Sequence, residues 1–314
     1  MNYYPEGSLI HSDENQYYLR SEATLTEALR SQSILEARAV MCDSEHNLII
    51  DLGCMTGVIP REEGALGIDS GKTRDIALIS RVNKTVCFMV TGFEKSSTGK
   101  TTALLSRRRA QQACTDNYLS KLTCGDILPA RVTHLEQFGC FVDIGCGIPS
   151  LIPIDAISIS RISHPNDRFR QGQMIYAIIK SFTDDGRICL SHKELLGTWE
   201  ENASHFQSGE TVSGIIRSIE NYGVFVELAP NLAGLAELKD GIKSGQFASV
   251  YIKSLIPEKM KIKLVIVNHS LNQRHRFELK YFITEGRLDR WVYSTPESPK
   301  RIETDFAAAA CNPA

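Results

Sequence analysis

Apolar and polar residues alternate with a period of two along most of this chain, and one alternating passage occurs twice. Phe138-Gly139-Cys140-Phe141-Val142-Asp143-Ile144 returns as Tyr222-Gly223-Val224-Phe225-Val226-Glu227-Leu228, every residue 84 positions on. Alternation sends successive side chains to opposite faces of a strand, so one face suits a core and the other displays rings. An internal repeat of this kind sets the architecture before any other feature does.

The repeated unit extends on both sides of the rings. Each copy opens with a glycine-led apolar strand, at 125–132 and 209–216, and continues after the rings through 148–154 and 232–238. A polar stretch leads to another glycine-led strand at 172–180 and 245–253, and the unit closes at 187–191 and 261–265. Five short strands within about 70 residues, with little helical periodicity between them, predict a small closed antiparallel barrel. A fainter copy lies upstream, where Asp51-Leu52-Gly53 aligns with Asp143-Ile144-Gly145. In it His46 and Ile49 stand in the places of Phe138 and Phe141, so the strand pattern is kept without the ring pair. This copy continues through 76–80 and 86–90 to 102–106.

Barrels are therefore expected at 34–108, 125–194 and 209–269. Before them, 1–33 contains a capped short helix at Ser21 to Arg30, the serine serving as its N-cap. Residues 109–124 read as a linker helix with a basic start at Arg107-Arg108-Arg109, serving as a spacer or as a further phosphate contact. A second linker at 195–208 carries Leu195, Trp199 and Phe206 for packing between barrels. The stretch 270–294 predicts a hairpin, with strands at 277–283 and 287–293 around Thr284-Glu285-Gly286. The Pro-, Ser- and Ala-rich end, 295–314, has the composition of a disordered tail.

Both complete copies resemble the RNA-binding domain named after ribosomal protein S-one. Its pattern runs from a glycine-led strand through [Phe/Tyr]-Gly-x-Phe-Val-x-[Leu/Ile], Gly-Leu-x-x and Gly-x-x-Val to Arg-[Ile/Val]-x-Leu-Ser. The resemblance implies three tandem OB-type five-stranded antiparallel barrels, which with the short linker helices and the C-terminal hairpin read above make a mainly β fold. It also implies binding of single-stranded RNA or messenger RNA in translation, in association with the small ribosomal subunit. The upstream copy is similar to the first repeat of the ribosomal protein, which in that family serves docking to the ribosome more than gripping RNA.

Physical chemistry supplies the site on its own terms. An unpaired base offers a π-face that stacks on Phe or Tyr, while Lys and Arg alongside hold the backbone. Phe138 with Phe141, and Tyr222 with Phe225, are the candidate platforms. Taken alone, Phe141 and Phe225 fit barrel core as well as a display face. The intervening glycine permits a bend that lets residues three positions apart share one surface. The resemblance places Arg187, and Lys261 in the third barrel, beside the rings, although Arg187 also fits a solvated turn after Asp184-Asp185-Gly186. Arg161, Arg168, Arg170 and Lys180 gather near Arg187, and Lys253, Lys259 and Lys263 near Lys261. A histidine that the family often uses in the third strand is replaced by Pro153 and Ala236, which implies a weaker or less selective grip.

Composition narrows the alternatives. With 314 residues, 42% hydrophobic and 23% charged, the chain is long enough for several small cores. A net charge of −2 means that any attraction to phosphate must be local, with affinity built by linking modest sites. No apolar run reaches the ~18 residues of a membrane span and no signal sequence is evident, so a cytoplasmic protein is expected. Nine cysteines without a Cys-x-x-Cys spacing predict reduced, mostly buried thiols and no metal. Ser97-Thr98-Gly99-Lys100-Thr101 lacks the first glycine of a phosphate-binding loop, since Glu94 stands there, and reads as a hairpin tip. His134, His164, His192 and His205 have no nucleophile setting, so no enzyme and no cofactor is expected. Two other readings stay open: an accessory RNA-binding protein of a degradation or transcription complex, and a protein-interaction scaffold.

Overall fold

The computed structural model describes residues 3–97, 99–270 and 277–307. Three closed five-stranded barrels recur in one order. The first comprises β1 (Leu35–Cys42), β2 (Leu48–Asp51), β3 (Thr56–Ile59), β4 (Thr85–Lys95) and β5 (Thr101–Ser106). The second comprises β6 (Ile127–Glu136), β7 (Gly139–Asp143), β8 (Pro149–Pro153), β9 (Met174–Phe182) and β10 (Ile188–Ser191). The third comprises β11 (Thr211–Glu220), β12 (Gly223–Ala229), β13 (Leu232–Ala236), β14 (Phe247–Ile256) and β15 (Lys261–Ser270). In each barrel the third strand pairs in parallel with the fifth, as β3 with β5, β8 with β10 and β13 with β15. The barrels are thus not antiparallel throughout. A closed ring with an odd number of strands must contain at least one parallel pair.

Alternation separates core from surface as the pattern predicts. In the third barrel Ile215, Val224, Val226, Val250, Ile252, Ile262 and Leu264 are buried, while their neighbours Phe225, Leu235 and Lys263 lie on the outside. By contact density the chain forms two compact units, Met1–Leu122 with Asp143–Pro149, and Thr123–Val142 with Ser150–Ala314.

In the first unit, α1 (Asp13–Tyr18) is capped by Ser12, and α2 (Glu22–Ser31) by Ser21 in a reciprocal capping box with Thr24. Leu25 and Ala28 of α2 enter the core of the first barrel. The expected linker helix, α4 (Arg107–Asn117), starts two residues early because Ser106 caps it. Its basic start is not a free phosphate contact. Arg107 is buried with its Nε 2.6 Å from Glu6, Arg108 is paired to Glu63, and Arg109 alone is exposed. Between β3 and β4, Ile76–Ile79 form the short helix α3. Between β4 and β5 the chain turns at 96–100, where the Ser96 amide donates to the Lys100 carbonyl; Thr98 lies outside the described residues.

In the second unit, Leu195 and Trp199 are buried, Phe206 is half-buried, and α5 (Trp199–Ala203) is capped by Thr198 and Glu201. The C-terminal hairpin differs from expectation. β16 (Arg290–Val292) pairs antiparallel with β17 (Glu303–Asp305), and 277–283 form no strand. Tertiary contacts decide this: the Phe282 amide donates to the Leu195 carbonyl, and Tyr281 packs between Tyr176 and His192. Residues 295–307 are correspondingly placed, with Thr295 and Phe306 buried, rather than part of a disordered tail. Residues 271–276 and 308–314 lie outside the described residues.

Cys42, Cys54, Cys87, Cys114, Cys140, Cys146 and Cys189 are free thiols, four of them buried, whereas Cys124 is disulfide-bonded and departs from the expected reduced state. Among the described residues no helix is long and apolar enough to cross a membrane.

Candidate nucleic-acid interface

The two ring pairs share one geometry. Phe138 and Phe141 have centroids 5.9 Å apart at 89°, and Tyr222 and Phe225 stand 6.1 Å apart, also at 89°. Phe138 and Tyr222 are 56% and 66% exposed, while Phe141 and Phe225 are half-buried. The rings therefore lie on the barrel surface and leave the core to aliphatic side chains. Glycine is required between them by close approach. A Cβ on Gly139 would lie 2.6 Å from the Ile152 carbonyl oxygen, and one on Gly223 would lie 2.7 Å from that of Ala236. This contact draws the ring-bearing strand onto its neighbour in both barrels.

Strand register extends the platform sideways. Across the third barrel Ser218, Phe225, Leu235, Lys263 and Ser254 are successive partners, forming one outward row. Neighbouring strands lie about 4.8 Å apart, so Lys263 stands roughly 10 Å from Phe225 across a half-buried leucine. Lys261 is two residues earlier, at the start of β15. In the second barrel Leu151 pairs with Cys189, which pairs with Ser181, so a cysteine occupies the place of Lys263.

A β-bulge in the fourth strand of each barrel sets another position. The register skips one residue there, Lys180 on β9 and Lys253 on β14. Bulges re-aim the extra side chain, and both barrels present lysine at that point. In the first barrel the skipped residue is Thr91, whose hydroxyl donates to the Leu104 carbonyl.

The remaining basic residues divide sharply. Lys253, Lys261 and Lys263 are exposed, and among the described residues no carboxylate pairs with them. Arg187 is exposed in the turn before β10, its Nε 3.0 Å from Asp185. The Thr183 hydroxyl, helped by Arg187, holds the Asp185 carboxyl below its usual range. Arg168, counted among the basic cluster from sequence, is buried in an ion pair with Glu227 and faces no solvent. Its removal from the surface comes from a partner 59 residues away.

The first barrel has the same row in other chemistry. Met41, Ile49, Val58, Leu104 and Gly92 are successive partners, so Ile49 takes the place of Phe225 and Leu104 that of Lys263. Met41 and nearby Val40 are 51% and 43% exposed. Leu151, Leu235 and this aliphatic row were not singled out from sequence. The signal available was an apolar residue at an outward position of an alternating strand. Among the described residues no group of His, Cys and carboxylate side chains could hold a metal.

One barrel, and most of the chain, resemble known proteins. Residues 121–193 match the model of the S1 RNA binding domain. The chain is 28% identical over 277 residues to the small ribosomal subunit protein bS1 of Staphylococcus aureus (strain COL), spanning 83% of this chain and 68% of that protein. It is 30% identical over 158 residues to the corresponding protein of Leuconostoc lactis, spanning 46% of this chain and 37% of that one. Among solved structures, a multidomain protein with nucleic acid binding domains from Streptococcus pneumoniae aligns over 77% of this chain and 75% of its own, at 14% identity and a TM-score of 0.26. Residues 121–193, which hold the first of the two ring pairs, thus match the S1 RNA binding domain, and the chain over most of its length is similar to bacterial ribosomal protein bS1.

Proposed function

We propose that this chain binds single-stranded RNA, messenger RNA in particular, on the outer faces of its second and third barrels, and that it works in translation beside the small ribosomal subunit in the cytoplasm. The observation that carries this reading is the pair of exposed ring platforms at equivalent places in two barrels. A base stacked on such a ring contributes about 1 to 3 kcal/mol whatever its identity, so binding has little sequence preference. Lys180, Lys253, Lys261, Lys263 and Arg187 supply the charge for the backbone. The role is binding without catalysis, and it needs no cofactor.

The first barrel, with an aliphatic row where the others carry rings, serves the protein side of the assembly and docks on the ribosome. Exposed aliphatic groups gain by covering apolar protein surface and offer phosphate nothing.

Titrating the full chain with unstructured and duplex RNA tests the reading. Single strands should bind at least tenfold tighter, because a duplex hides its base faces. Equal or tighter binding of duplex would overturn the stacking mechanism. Sedimentation with ribosomal subunits tests the partner.

A further inference from the structure

The passage between the two ring pairs is built from one insertion of the second barrel, residues 154–170, and it carries a loosely held cation. At its start the Ile154 amide donates to the carbonyl of Phe138 itself, at 2.9 Å. Towards its end Arg168 is locked onto Glu227, two residues from Phe225 on β12. Between these anchors Arg161 leans towards the third barrel, with Nη1 3.9 Å from Oε1 of Glu220. Glu220 is the register partner of Gly223, the residue that follows Tyr222. The insertion thus leaves from one platform and arrives at the other, with Arg161 standing beside the second.

We infer that a single RNA strand engages both platforms at once by crossing this insertion, and that Arg161 takes a phosphate on the way. The inference rests on the RNA-binding reading above and adds a residue and a path to it. The span is fixed by buried contacts. Glu227 also accepts from Arg217, which bonds Asp167, and the Ile159 amide donates to the Asn231 side chain in the turn between β12 and β13. Asn231 in turn donates to the carbonyls of Lys193 and Gly197. A strand held on one platform therefore meets the other at a set distance, which lowers the entropic cost of the second contact.

Arg161 suits the task because little holds it. Its side chain is 85% exposed, and an exposed pair at this distance is worth little, so phosphate displaces Glu220 readily. A guanidinium can then bind phosphate oxygens in bidentate fashion. Beneath it Ile157, Ile162 and Phe169 are buried, so the path of the backbone does not depend on the Arg161 side chain.

The test titrates the full chain with oligouridylates of about 4 and about 16 nucleotides, the range of site sizes for such barrels, at several salt concentrations. Arg161→Ala should weaken the longer ligand several-fold, lower its log–log salt slope by about 0.7, and leave the shorter ligand and the melting temperature unchanged. Glu220→Gln should strengthen the longer ligand. If Arg161→Ala leaves the longer ligand at wild-type affinity and slope while Tyr222→Ala weakens it, the bridging path is wrong and the RNA reading stands. An equal loss for both lengths places Arg161 in a one-barrel site and also overturns the bridge. If Tyr222→Ala and Phe138→Ala are silent too, the RNA reading itself fails.

Discussion

Arg168 and Glu227 form a two-pronged ion pair with essentially no solvent exposure, joining the insertion of the second barrel to the ring-bearing strand of the third. Removing the carboxylate would leave the buried Arg168 guanidinium without an acid and take from Arg217, whose Nε is also 2.6 Å from it, one of its two carboxylate partners. Glu227→Ala should therefore cost about 3 to 5 kcal/mol, whereas replacing Glu227 and Arg168 together by apolar residues should cost much less. Urea unfolding followed through Trp199 and Trp291, both in this unit, provides the measurement.

Stacking and charge should separate cleanly at the rings. Phe138→Ala or Tyr222→Ala should weaken RNA binding about tenfold without changing the salt slope or the melting temperature. Lys261→Ala or Lys263→Ala should instead lower the slope by about 0.7 each. If the ring variants melt early, the rings support the fold and the site assignment falls.

A gain of function is also expected. Cys189 occupies in the second barrel the row position that Lys263 holds in the third. Cys189→Lys should add one phosphate contact, raising the salt slope by about 0.7. Anisotropy titration over a salt series reads this directly, and an unchanged slope would count against the row as the path of the backbone.

The first barrel should respond in the opposite sense. Met41→Asp, at a half-exposed position beside Ile49 in the row, should reduce co-sedimentation with ribosomal subunits and leave affinity for naked RNA within twofold. Truncation would be a poor substitute. The Glu6 amide and the Gln111 side chain donate to Asp143 and Cys146, so deleting the first barrel would strip a loop that belongs to the second.

His192 gives the second unit a pH signature. It is fully buried, its Nδ1 2.8 Å from the Ile157 carbonyl and its Nε2 3.0 Å from the Tyr281 hydroxyl, and burial pushes its pKa down to about 4. The unfolded chain binds this proton near pH 6.5 and the folded chain does not, so stability falls as pH drops from about 6.5 towards 4. The loss approaches about 3 kcal/mol at the acid end of that window. Chemical denaturation read by tryptophan fluorescence should show this slope, and His192→Asn should flatten it.

The parts of the molecule legible in sequence were those written in short range. Ring, glycine and ring within four residues of Phe138 or Tyr222 marked the platforms, and period-two alternation marked most strands. What escaped depended on distant partners. Arg168 counts in sequence as one of a basic cluster, and only the distant Glu227 takes it off the surface. The chain from 277 to 283 has the composition of a strand, yet the contacts of Tyr281 with His192 and Tyr176 hold it in an irregular path. That left β16 to pair with β17 across a loop of ten residues, where composition suggested disorder. The bulges that turn out Lys180 and Lys253 have no local signature, because they arise from register between strands.

The row that holds Phe225, Leu235 and Lys263 in one barrel and Ile49, Val58 and Leu104 in another is separated by strand parity from every residue that fills the core. Substitution along this row can therefore change what the outer face presents while leaving the core residues untouched. A few outward substitutions are enough to exchange rings and lysine for aliphatic side chains on a barrel whose core stays the same. The reverse route is equally short.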